Sequence, residues 1–174
     1  MSGFPEGLDR SRHSELSGRA VEPWVRRAIL AVFLAVAVLA LANVLGQRSG
    51  DTTASASGAR INLNVPTTVR GGLLFQARID VFANTAIDHP RLVLDRGWAE
   101  GMQLNTIEPA PVGQTSRDGR LVFSYDALKA GDHMTVWVQF QADPTYTGRR
   151  ALGLELDDAE TPVVRLNHTL HVLP

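Results

Sequence analysis

The sequence predicts one transmembrane α-helix followed by an all-β domain, an antiparallel sandwich of seven or eight strands. Three observations predict it. An unbroken apolar block runs from Ala28 to Leu45, short runs of alternating apolar and polar residues follow Arg60, and Gly, Pro and Asp punctuate those runs. Composition then divides the chain into a disordered cytoplasmic tail (1–23), the helix (24–45), a flexible linker (46–59) and an extracytoplasmic domain (60–174).

The apolar block reads AILAVFLAVAVLALANVL, with Asn43 its only polar residue. Eighteen helical residues rise about 27 Å, and Trp24 and Val25 extend the stretch toward the roughly 30 Å of a bilayer's hydrocarbon core. Its eleven Leu, Ile, Val and Phe residues favour insertion by about 3–6 kcal/mol. Pro23 suits a helix start, and Trp24 sits where an interfacial anchor belongs. Arg10, Arg12, Arg19, Arg26 and Arg27 precede the block and only Arg48 follows it closely, so the positive-inside rule keeps the N-terminus in the cytoplasm and sends the C-terminus out. Ala40-Leu41-Ala42 also fits a signal-peptide cleavage pattern, and Arg26-Arg27 the start of a twin-arginine signal. The apolar run exceeds a usual signal core and a long polar segment precedes it, so an uncleaved anchor is expected.

Residues 1–22 are rich in Ser, Gly, Arg and Glu without apolar periodicity, and residues 46–59, GQRSGDTTASASGA, have the composition of a flexible linker. Beyond them Ile61, Leu63 and Val65 alternate up to Pro66, and Phe75, Ala77, Ile79 and Val81 alternate with Gln76, Arg78 and Asp80. Leu92 and Leu94 mark a third run, and Met102 and Leu104 a fourth. Asp118-Gly119 signals a tight turn before Leu121, Phe123 and Tyr125. The clearest strand places Met134, Val136, Val138 and Phe140 on a core face and Thr135, Trp137, Gln139 and Gln141 on the other. Leu152-Leu154-Leu156 and Val164-Leu166-Leu170-Val172 close the series.

Three segments resemble the immunoglobulin-like repeat domain of bacterial surface proteins. They are FQARIDVFANTAIDHPRLVLDRGWAEGMQL, the stretch from Asp118-Gly119 through LVFSYDALKAGDHMTVWVQFQAD, and Gly148 to Val172. The Leu128-Lys129-Ala130-Gly131-Asp132 turn is the most specific element; a clear Asn-x-Ala element in the penultimate strand is missing. The resemblance implies an Ig-like sandwich in single copy and a role as an extracellular spacer or adhesive module.

Composition excludes several chemistries. The chain has no cysteine, hence no disulfide, thiolate metal site or cysteine nucleophile, and its net charge of −1 gives no electrostatic case for nucleic acid. His168 and His171 fall on opposite strand faces, a poor joint metal site. Asp157-Asp158-Ala159-Glu160 lacks the ligand spacing and glycine turn of a calcium loop, and His133 beside Asp132 has no nucleophile elbow. Asn167-His168-Thr169 fits a glycosylation acceptor pattern. No catalytic, cofactor-binding or metal-binding residue is assigned, and no cofactor is expected. The expected function is a membrane-anchored interaction or spacer module without catalytic activity. The alternatives are an accessory subunit of a larger membrane complex and an envelope enzyme. The expected partners are the lipid bilayer through residues 24–45 and another membrane or envelope protein; Trp137, a large aromatic on a polar sheet face, is the candidate partner contact, against the alternative of a structural cross-strand pair.

Overall fold

The computed structural model describes residues 22–42 and 47–174. The chain divides into two compact units, residues 1–45 and 46–174. In the first, helix α1 (Glu22–Leu41) is long and apolar enough to cross a membrane, with a mean hydropathy of 2.1 over Pro23–Leu41. Its described side chains are all exposed. The described helix runs to Leu41 and Ala42 is a turn residue; the rest of the expected span from Asn43, and the tail through Val21, lie outside the described residues.

In the second unit the described residues form eleven strands. They are β1 (Ser49–Ser55), β2 (Ala59–Pro66), β3 (Thr68–Arg70), β4 (Leu74–Ala83), β5 (Pro90–Leu94), β6 (Met102–Glu108), β7 (Gly113–Arg117), β8 (Arg120–Ser124), β9 (His133–Ala142), β10 (Gly148–Asp158) and β11 (Thr161–Leu173). One sheet has the order β1-β2-β4-β9-β6 and the other β3-β11-β10-β5-β8-β7. All pairings are antiparallel except β3 with β11. This is the expected antiparallel sandwich, with more strands than the seven or eight expected.

Alternation builds the core. Ile61, Leu63 and Val65 of β2, Ala77, Ile79 and Val81 of β4, and Val136, Val138 and Phe140 of β9 turn inward from the first sheet. Leu92 and Leu94 of β5, Leu152, Leu154 and Leu156 of β10, and Leu166, Leu170 and Val172 of β11 meet them from the second. Trp98, on a 3₁₀ turn (Arg96–Trp98), is wholly buried; its indole nitrogen donates to Gly153 O at 3.0 Å, and its ring centroid lies 5.2 Å from that of Phe140. Asp118 (φ 53°) and Gly119 (φ 76°) make the expected turn between β7 and β8; two successive positive φ values match the type I′ hairpin. In the Leu128–Asp132 turn the Asp132 carboxylate accepts from the Lys129 backbone amide at 2.8 Å.

The flexible-linker reading of residues 46–59 is corrected by this arrangement. Ser49–Ser55 pairs residue for residue with Pro66–Arg60, and Ala59 already belongs to β2 and is fully buried. Small residues suit this sheet edge. A Cβ on Gly50 would approach the Thr67 methyl to 2.8 Å, Ala54 packs on the core, and the Thr52 hydroxyl lies 3.0 Å from His168 Nδ1 on β11.

Candidate interaction surface on the five-stranded sheet

The outward face of the β1-β2-β4-β9-β6 sheet carries the side chains that the core pattern rejects. Register aligns them in cross-strand rows, the unit through which sheet side chains interact. Arg60, Phe82 and His133 form one row, Asn62, Asp80 and Thr135 the next, and Arg78 and Trp137 a third.

In the first row Phe82 is 39% exposed between two partners. The Arg60 guanidinium lies 4.9 Å from its centroid, and the His133 ring stacks at 4.4 Å with 29° between planes. In the second, Asp80 organises its surroundings: Oδ1 accepts from the Thr135 hydroxyl at 2.8 Å and lies 3.6 Å from His133 Nε2, while Oδ2 pairs with Arg78 Nε at 2.9 Å. Arg78 in turn sits over Trp137, 5.6 Å from its ring centroid, and Trp137 is 39% exposed. Each cation–aromatic contact at such exposure contributes about 0.5–1 kcal/mol. Phe82 and Trp137 thus stay part-exposed while held by their neighbours, an aromatic and polar surface of the composition enriched at protein contacts.

The structure places Trp137 where alternation put it, on the outer face opposite Phe140. Sequence reading did not find Phe82, Arg60, Arg78, Asp80 and His133 as its neighbours. Alternation along β4 put Arg78 and Asp80 outward, but only strand register brings β2, β4 and β9 together.

The remaining candidates lie elsewhere. His168 points to the sandwich side of β11, and burial lowers its pKa; His171 is exposed on the opposite face. Asp158 and Ala159 (φ 55°) lie at the β10–β11 turn, where Asp158 accepts from the His89 amide at 2.8 Å. On the outer face of the six-stranded sheet, Arg120 contacts Asp95 at 2.9 Å and the Glu155 carboxylate, and Arg165 contacts Asp95 at 2.7 Å and Glu155 at 3.6 Å. Glu155, only 7% exposed, has its charge matched within this alternating ring. Hydrogen bonding to Glu155 raises the Arg120 pKa further. Two cations and two anions that answer one another clamp β8, β10 and β11 together. Among the described residues no three metal-ligating side chains converge.

No protein-family model matches the chain. No curated protein matches it either. Among solved structures the chain is similar to the solution structure of CaCohA2 from Clostridium acetobutylicum, with 13% sequence identity and a TM-score of 0.43 over 64% of this chain and 89% of that one.

Proposed function

We propose that this chain is a single-pass anchor of the cytoplasmic membrane that displays a β-sandwich outside the cytoplasm as a non-catalytic interaction module. Trp137 and Phe82 are the centre of its partner contact. The observation that carries the reading is the pair of part-exposed aromatics on one outer sheet face, each held under an arginine and linked through Asp80. An ordered aromatic loses little side-chain freedom when a partner covers it, so it suits recognition of another protein's surface. The apolar helix with Arg26 and Arg27 before it supports the anchor and its orientation. The resemblance of residues 61–174 to Ig-like repeats of bacterial surface proteins supports display on a cell envelope.

The test is Trp137→Ala in the full chain, followed by chemical crosslinking in native membranes. A loss of no more than about 1 kcal/mol in stability, together with loss of a crosslinked partner, is the expected result. Persistence of every crosslinked species would assign Trp137 a purely structural place against Arg78.

A further inference from the structure

The chain enters the sandwich at one end, and that end has its own chemistry. Gln47 and Arg48 are the first described residues of the domain: the Gln47 side-chain amide donates to Leu74 O at 3.2 Å, and Arg48 O accepts from Thr67 N at 3.0 Å.

Two loops meet beside Gln47. One is the turn from β3 to β4, Arg70-Gly71-Gly72-Leu73-Leu74; the other connects β9 to β10 through Asp143, Pro144 and Tyr146. Their contact is fixed by backbone hydrogen bonds from Gly72 to Ala142 (2.8 Å) and from Ala142 to Leu73 (3.1 Å). Gly71 allows it, since a Cβ there would lie 2.9 Å from Pro144 Cα. On this fixed base Leu73, Leu74 and Tyr146 stand out at 47%, 49% and 49% exposure. The Arg150 guanidinium lies 4.1 Å from the Tyr146 ring centroid, and Arg70 and Arg149 are exposed nearby; Asp143, Glu100 and Asp95 are acidic residues beside them, with Asp95 already paired to Arg120 and Arg165. The opposite end, around Leu128–Asp132, carries Asp88, Asp126 and Asp132 with Lys129, and Arg60 and Arg91 on the adjoining strands. Apolar side chains ringed by arginines and a tyrosine at the tethered end match a bilayer's interfacial layer with anionic headgroups.

We infer that Leu73, Leu74 and Tyr146, with Arg70, Arg149 and Arg150, form a lipid-contact patch that seats the domain on the headgroup layer of the membrane holding α1. This rests on the anchored reading proposed above. Its consequence is that the domain is a membrane-proximal module held against the bilayer, whose outer sheet face addresses partners close to that surface.

The absence of native cysteine permits a direct test on the full chain. Leu73→Cys, Thr147→Cys and Val112→Cys are each labelled with an environment-sensitive fluorophore and reconstituted into phosphatidylcholine vesicles containing phosphatidylglycerol. Val112 is exposed in the half of the sandwich away from the patch, bonded to Ser124 O at 2.9 Å. Labels at 73 and 147 are expected to emit to the blue of the label at 112 and to be quenched by lipids carrying headgroup nitroxides. Equivalent emission from all three positions, in a chain that resists alkaline carbonate extraction, overturns the inference alone. Release of the chain by carbonate overturns the anchored reading and this inference with it. A blue shift seen in native membranes but not in these vesicles assigns the patch to a protein partner, which also overturns it.

Discussion

Phe140→Ala tests the strand register on which the interaction face depends. Phe140 is wholly buried between the sheets, stacked on Phe75 at 5.8 Å and tilted against Trp98 at 5.2 Å. It pairs with Phe75 on β4 and Leu104 on β6, so its ring lies in a central strand with few ways to collapse into the space it leaves. Truncating a buried phenylalanine costs about 3–5 kcal/mol through lost transfer energy and an unfilled cavity. For a domain of this size each kcal/mol corresponds to roughly 3–5 °C, so the melting temperature should fall by about 10–20 °C. Urea unfolding followed by circular dichroism should show the same loss as a lower midpoint at unchanged slope. The neighbouring Trp137→Ala should cost no more than about 1 kcal/mol, the worth of a cross-strand or exposed cation–aromatic contact. The two residues stand three apart on β9, an odd spacing that puts them on opposite faces, so the contrast is sharp: a slip of one position would reverse it. A small loss for Phe140→Ala with a large one for Trp137→Ala would refute the assigned faces of β9.

Three further outcomes follow from particular contacts. Gly97→Ala would place a Cβ 2.0 Å from Ala151 O, a backbone atom that cannot swing aside, so a loss of about 1–3 kcal/mol or more is expected in thermal unfolding. Burial, then the Glu155 charge, raises the Asp157 pKa, with Arg120 and Arg91 acting in the opposite sense. A carboxyl that holds its proton more tightly when folded subtracts stability at neutral pH and stops doing so below its unfolded value of about 3.9. Asp157→Asn should therefore raise the melting temperature at neutral pH and lose that advantage in acid; a drop at neutral pH would contradict the assignment. Burial lowers the His168 pKa, so the folded state resists its protonation, and stability should fall as pH drops below the unfolded value of about 6.5. His168→Gln should flatten that dependence in a pH series of unfolding curves.

How far the sequence carried the fold depended on where the apolar residues stood. Strands with large inward residues were legible, because Ile61-Leu63-Val65 and Val136-Val138-Phe140 announce both a strand and its buried face. β1, β3 and β7 were not. β1 (SGDTTAS) is held by backbone pairing, small side chains and one Thr52–His168 contact, and β7 (GQTSR) is an exposed polar edge. β3 is three residues long and pairs in parallel with β11. None of these carries a hydrophobic signature, so composition alone read β1 as a linker. Trp137 was found because its position on β9 violates the polar face around it. Phe82 was missed, although β4 presents the same violation, because its significance depends on Arg60 and His133 reaching it from β2 and β9.

The central claim, that partners meet the outer face of the five-stranded sheet, is tested most directly by photo-crosslinking in native membranes. Benzoylphenylalanine is placed at position 137 or 139 on that face and at position 167 on the outer face of the other sheet. Discrete protein adducts from 137 and 139, and none from 167, are the predicted result. Adducts from 167 with none from 137 and 139 would contradict the account.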